Sequence, residues 1–280
     1  MASTNVGVGL IVKNTNLSPE INESKSVSTL GNQFNIFIGK GTETKLFALD
    51  GAEANIYKET ESVIPDDKTF AKIVFEQKRV ANAIAFSEKV LEGANVDLES
   101  NSKESINKRN YKFFAKQAFG FGSATGSEAK QFQSILDYND VANTQKINST
   151  DIKTVTGVTV ENVDLIYGEL AETYEGDLIF VVDTFATANG LTDADKKSIL
   201  IKENRGNGSI GTIYGIPVFV QSMNAKAKLV LMNPKAYAVS VGADAGIVEA
   251  KNAAAKVTTL VGDVYSQGKV TDPNSIKIIK

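Results

Sequence analysis

The spacing of apolar positions changes along this chain, and the changes divide it into parts. Residues 1–35 hold only scattered apolar side chains, among them Leu17, Ile21, Val27 and Leu30, in a run rich in Asn, Ser and Thr. Such a segment has too little apolar surface to fold alone and reads as an extended arm or, equally, as a frayed terminus. From Ile36 the pattern turns strand-like. Ile36, Phe37 and Ile38 lead into Gly39-Lys40-Gly41, and Asp50-Gly51 further on is a turn signal. A return strand begins near Lys68. Phe70, Lys72, Val74 and Glu76 share one face, Ala71, Ile73, Phe75 and Gln77 share the other, and the run continues through RVANAIAFS. Between 40 and 72 the chain carries seven acidic residues and five lysines. The few apolar residues there make no core, so this excursion is either a floppy loop or an arm that needs a partner surface to lie on, and the second reading is preferred.

Residues 101–119 form the clearest helix. Ile106, Asn110, Phe113, Phe114, Gln117 and Phe121 follow a 3.6-residue period, and Gly120 and Gly122 end it. The opposite face carries Lys108, Lys112 and Lys116 at i,i+4 spacing, with Arg109 beside them. Like charges so placed cost a few tenths of a kcal/mol each. A solvated face and an inner surface turned toward a polyanion are both consistent with the stripe.

Residues 122–253 alternate helix and strand signals. VENVDLIYGELAETYE sets Val163, Ile166, Tyr167 and Leu170 along one stripe, and DLIFVVD reads as a buried strand. Thr192-x-x-Asp195 predicts the start of a helix over DADKKSILIK. A glycine-rich turn, ENRGNGSIG, precedes two strands, TIYGIPVFVQS and AKLVLMN, and Pro217 predicts an edge or a bulge for the first. Val248 to Lys256 is helix-like, and KVTTLVGDVYSQGKV and SIKIIK read as closing strands.

Length and composition narrow the function. At roughly 150 residues per domain, 280 residues suggest about two domains. The chain has no Cys, His or Trp. That removes disulfides, thiol nucleophiles, Ser-His-Asp chemistry and the usual zinc and non-haem iron ligand sets. Acid-base chemistry would fall to shifted carboxylates, Lys or Tyr. A net charge of −3 gives no strong global attraction to nucleic acid or to an anionic membrane. The opening MASTNVGVGLIVKNTN has no basic n-region and only a broken apolar run, which argues against a signal peptide. No run of 18 apolar residues spans a bilayer, and a cytoplasm is the default address.

No motif supplies an active site. Gly120-Phe121-Gly122-Ser123-Ala124-Thr125-Gly126 is loosely like a phosphate loop, but it follows a helix and its third glycine comes one position late. Turn chemistry and capping account for Asp66-Asp67 and for Asp193 with Asp195, and Ser123 and Ser209 have no His to activate them. No catalytic residue, cofactor-binding residue or metal ligand is expected.

The order of the parts does carry a likeness. AIAFSEKVLEGANVDLE (83–99), NYKFFAKQAFGFGSATG (110–126), GTIYGIPVFV (211–220) and GDVYSQGKVTDPNSIKIIK (262–280) follow one another as they do in the major capsid protein of tailed bacteriophages. The chain from about 33 to 280 resembles that family, whose α+β fold is named after phage Hong Kong ninety-seven.

The resemblance implies an N-arm over 1–35 and an extended E-loop, lying on a neighbouring subunit, over 36–72. It implies a peripheral domain of 73–121 with 254–280, whose spine helix is 101–119, and an axial domain over 122–253. The implied function is self-assembly, as pentamers and hexamers, into an icosahedral head shell around double-stranded DNA. The implied place is the virion, with assembly in the bacterial host cytoplasm. Many relatives begin with a charged helical scaffolding segment that a protease removes. This sequence moves quickly into the arm, which implies a separate scaffolding protein or a trimmed form, beside a portal. DNA would be contacted without sequence specificity, with Lys108, Lys112 and Lys116 as the expected contacts. Some relatives cross-link an E-loop Lys to a neighbour's Asn. Lys40, Lys45 and Lys58 are available, no motif assigns them that role, and no cross-link is expected. An encapsulin-type compartment shares the fold, and a soluble α/β enzyme is the reading from a different class.

Overall fold

The computed structural model describes residues 13–16, 30–39, 42–48, 70–87, 98–121, 132–173, 177–202, 208–223, 225–242, 246–252 and 254–280. Its strands form two six-stranded sheets and one two-stranded hairpin.

The first sheet is built on one long strand, β13 (Val257–Val270). On one side β13 pairs with β5 (Lys78–Ser87). On the other it pairs with β11 (Tyr237–Gly242) and then β12 (Gly246–Asn252), both antiparallel. β2 (Asn35–Gly39) adds to β11 in parallel, and β1 (Lys13–Asn16) adds to β12 antiparallel. Helix α1 (Leu98–Lys116) lies across one face. It packs tightly on Gly262, where an added Cβ would sit 2.4 Å from Ile106 Cγ2. The strand can hold the helix there only by lacking a side chain. α1 buries Ile106, Asn107, Asn110, Tyr111, Phe114 and Ala115 and leaves Phe113 half-buried, and the turn that follows it buries Ala118 and Phe119. The backbone leaves helical angles at Phe119 and Gly120, as the glycine signal predicts.

The second sheet runs β6 (Lys153–Val155), β14 (Ile276–Ile279), β10 (Leu229–Met232), β7 (Ile179–Val182), β9 (Ile216–Val220), β8 (Gly211–Ile213). It is buried on both faces, which explains the unbroken apolar runs of β7 and β10. Alternation sorts the side chains. Ile179, Val181, Val230, Met232, Ile276 and Ile278 enter the core beneath α1. Phe180, Val182, Leu229, Leu231 and Ile279 enter a second core with Val163, Ile166 and Leu170 of α2 (Val160–Thr173) and Ala188 of α3 (Phe185–Gly190). The first core is therefore shared between the two sheets.

Sequence order and sheet membership differ here. β11 and β12, inside the 122–253 span, belong with β5 and β13. β14, inside the 254–280 span, belongs with β10 and β6. Ile36 to Gly39, assigned to the excursion, sit in the first sheet against β11. Besides the long passage from β5 to β6, the chain makes two short crossings between the sheets, at 233–236 and at 271–275. The crossings are tied to each other by Thr271 N donating to Ala236 O at 2.8 Å and Asn233 N to Ser275 O at 3.0 Å.

Four local expectations are corrected. TIYGIPVFVQS is not one strand, because it folds back at Tyr214-Gly215 into the antiparallel pair β8 and β9. DADKKSILIK forms no helix. Asp193 Oδ1 accepts from the backbone N–H groups of Asp195 and Lys197, Lys196 takes a left-handed φ of 61°, and the chain reverses. The helix-like 248–256 segment is strand β12 over 246–252, because β13 offers it a seven-residue ladder that outweighs local helix preference. β9 is not an edge strand. It joins β7 from Val218 onward, so Pro217 lies just outside that ladder and opposite Thr212 of β8, where its missing N–H disturbs no pairing with β7.

Candidate assembly surfaces

No group of three or more His, Cys, Asp or Glu side chains gathers to hold a metal among the described residues. A pocket between α1 and the first sheet, lined by Ile36, Asn107, Tyr111, Phe114, Val241 and Val264, has room for about one water. Ser209 is buried, and Asp193 is spent on turn geometry. Asp66, Asp67 and Ser123 lie outside the described residues. What the fold presents is surface.

The first surface is the hairpin of β3 (Thr42–Ala48) and β4 (Phe70–Glu76). Its foot is fixed to the first sheet. Ile73 and Phe75 pack with Ile147 and Ala238, and the Phe75 ring meets Phe37 edge-on at 5.1 Å. Glu76 N donates to Gln267 Oε1, and Gln77 Nε2 donates to Ser240 Oγ at 2.7 Å. Lys72 and Val74, on the other face, are exposed, so the predicted alternation holds. Lys45 stands opposite Ile73 in the hairpin register. Lys40, Lys58 and the whole of 49–69 lie outside the described residues.

The second surface is the outer face of α1. Arg109, Lys112 and Lys116 are exposed there. Lys108 is partly exposed and bound to Glu104 at 2.6 Å, an i,i+4 pair that offsets part of the repulsion within the stripe.

The third lies at the ends of the second sheet. β8 and β9 join through Tyr214-Gly215, with φ of 52° and 79°. That two-residue turn needs left-handed angles at both positions, and Tyr is unusual at the first. Two contacts hold it. Tyr214 Oη donates to Asp164 Oδ1 of α2 at 2.5 Å, and its ring lies 5.4 Å from Tyr167. Desolvation, followed by that bond to a carboxylate, pushes the Tyr214 phenol up to about 12. Leu165, Phe185, Ile201 and Val220 are exposed on the same sheet and its helices, with the Lys202 ammonium 5.4 Å from the Phe185 ring centre. Sequence reasoning missed this latch. It read TIYGIPVFVQS as one strand and passed over the Tyr-Gly pair inside that run.

Known proteins match this arrangement. A model of the phage capsid family matches residues 15–280. No curated protein matches the chain in sequence. Among solved structures, the capsid of a native GTA particle is similar with a TM-score of 0.61 and 17% identity, covering 92% of this chain and 90% of that one. A chain of Mycobacterium phage Adephagia gives 0.58 and 16%, covering 91% and 90%. A chain from the satellite phage P4 procapsid that includes a size determination protein gives 0.58 and 12%, covering 96% and 91%. Identities at this level establish the α+β capsid fold, and the family model covers nearly the whole chain. Neither the encapsulin reading nor the enzyme reading gains support from them. With its capsid fold and a family match over 15–280, the chain belongs to the phage capsid family, as a structural protein of the capsid shell.

Proposed function

We propose that this chain is the repeating subunit of the icosahedral head of a tailed phage, arranged as pentamers and hexamers around double-stranded DNA. The observation that carries the reading is the family match over 15–280, joined to a hairpin whose foot is anchored in the first sheet. Assembly takes place in the bacterial cytoplasm with a separate scaffolding protein and a portal. The subunit is not an enzyme and uses no cofactor.

The parts take their family roles with sheet membership as the guide. The peripheral part is α1 with the sheet of β5, β13, β12 and β11. The axial part is the second sheet with α2 and α3, which turns the Tyr214-Gly215 turn and its exposed apolar neighbours toward the ring axes. The E-loop is the excursion through β3 and β4, and the N-arm precedes β2. Lys108, Lys112 and Lys116 face the packaged DNA. Rings reuse one chain, and small changes of angle between copies close the shell.

Negative-stain electron microscopy of the purified protein, over a range of concentration and salt, tests the reading. Closed shells, tubes or five- and six-membered rings are expected. Nucleic acid inside shells recovered from an infected host supports the head assignment, and a cargo enzyme inside them would turn it toward a compartment. Dispersed subunits that stay dispersed with every co-expressed scaffold would overturn it.

A further inference from the structure

β5 is an edge strand. Its ten residues pair on one side with Val257–Ser266 of β13 and, among the described residues, with no strand on the other. A free edge exposes a row of backbone N–H and C=O groups that another strand can pair with, and proteins commonly guard such edges with Pro, a bulge or charge. β5 (KRVANAIAFS) has no Pro, keeps an unbroken register with β13, and carries charge only at its first two positions. Arg79 is already held by Asp263 at 2.8 Å. β5 is also twice as long as β2, the five-residue strand on the far side of the same sheet.

We propose that β5 pairs with β5 of a second copy, antiparallel across a two-fold axis, so that the first sheets of two subunits become one continuous sheet. This rests on the shell reading above. Two features of the strand favour its own copy as occupant. The first is charge. Antiparallel pairing sets Lys78 and Arg79 beside the uncharged Ala85–Ser87 end of the other copy and keeps the two cationic ends about 30 Å apart, whereas parallel pairing stacks like charges. The second is side-chain size. Ala81, Ala83 and Ala85 are exposed on the face away from α1, while Ile84 and Phe86 pack toward the core on the other, so the middle of the strand offers only small side chains on its open face. A two-fold pair uses the same surface twice and closes on itself, as a contact between rings requires. Keeping both α1 helices on one face requires the pair to centre on a residue, Asn82 or Ala83 for full overlap. The first register places Ala81 opposite Ala83 of the second copy, and the other places Ala83 opposite itself.

The chain has no Cys, so introduced thiols report without background. Shells of the double variant Ala81→Cys/Ala83→Cys, mildly oxidised, should give a covalent dimer on a non-reducing denaturing gel. The same protein dispersed at low concentration should give monomer. Ala83→Cys alone then tells the registers apart. Intact shells that yield no dimer overturn the pairing, while failure of the unsubstituted chain to form shells points instead to the shell reading. Ala83→Lys, which sets like charges at the centre of the pair, should keep the subunit's melting temperature and lose most of the shell yield, more so at low salt. An unchanged yield also overturns the proposal.

Discussion

Tyr237 shows how one residue can tie two regions and leave a signature in pH. Its ring is fully buried, its hydroxyl donates to Gln133 O at 2.8 Å, and Gly268 lies so close that an added Cβ would meet the hydroxyl at 2.5 Å. Desolvation raises this phenol well above its ordinary value. Burial, opposed by the bond from Ile147 N, pushes Tyr138 up to about 12. A phenol whose folded value is raised stays protonated in the fold after it has ionised in the unfolded chain. Its contribution is therefore whole below about pH 10 and is lost as pH rises above that. Thermal melts from pH 8 to 11.5 should stay level to about 10 and then fall. Tyr237→Phe should melt lower than the parent at pH 8, and the gap should narrow above pH 10. A gap constant to pH 11.5 would contradict the assignment.

At the scale of elements, the reversal at 193–197 depends on one carboxylate that accepts two backbone N–H groups, from Asp195 at 3.0 Å and Lys197 at 2.8 Å. Asp193→Ala should cost about 1 kcal/mol, seen as a lower urea midpoint with an unchanged slope. A change within error would mean that the pairing of Ile201 with Thr212 holds the segment alone. The hairpin makes the opposite case. Its foot, from Ile73 to Gln77, bonds to the first sheet, so removing 42–66 leaves the core contacts intact. The deleted chain should remain soluble and melt cooperatively, yet form no shells. Normal shells from it would remove the E-loop role.

For the whole molecule, the basic face of α1 is tested by Lys108→Gln, Lys112→Gln and Lys116→Gln together. If that face meets packaged phosphate, particles of the triple variant should hold less genome, and the deficit should grow as salt is lowered. Lys108 is already paired with Glu104 at 2.6 Å, so its own share of the effect should be reduced. Equal genome content at every salt concentration would return the stripe to an ordinary solvated face. The paired crossings at 233–236 and 271–275, with the core shared beneath α1, couple the two sheets. Rearrangement of the shell would then move subunits as bodies more readily than sheet against sheet.

Local pattern was enough for the parts whose burial has a single period. The 3.6-residue repeat ending at Gly120 defined α1, the stripe through Val163, Ile166 and Leu170 defined α2, and alternation in 70–77 identified the face that Ile73 and Phe75 bury. The order of such parts was enough for the fold class and the family. Local pattern failed where a partner distant in sequence set the outcome. An alanine-rich helical preference at 248–256 gave way to the β13 ladder, and an Asp at 193 that could cap a helix closed a turn. Two things were decided only by the tertiary structure: which sheet β11, β12 and β14 join, and that β5 stands at the end of the first sheet among the described residues. Both depend on hydrogen bonds between strands far apart in the chain, and no local period records which strand will supply the partner.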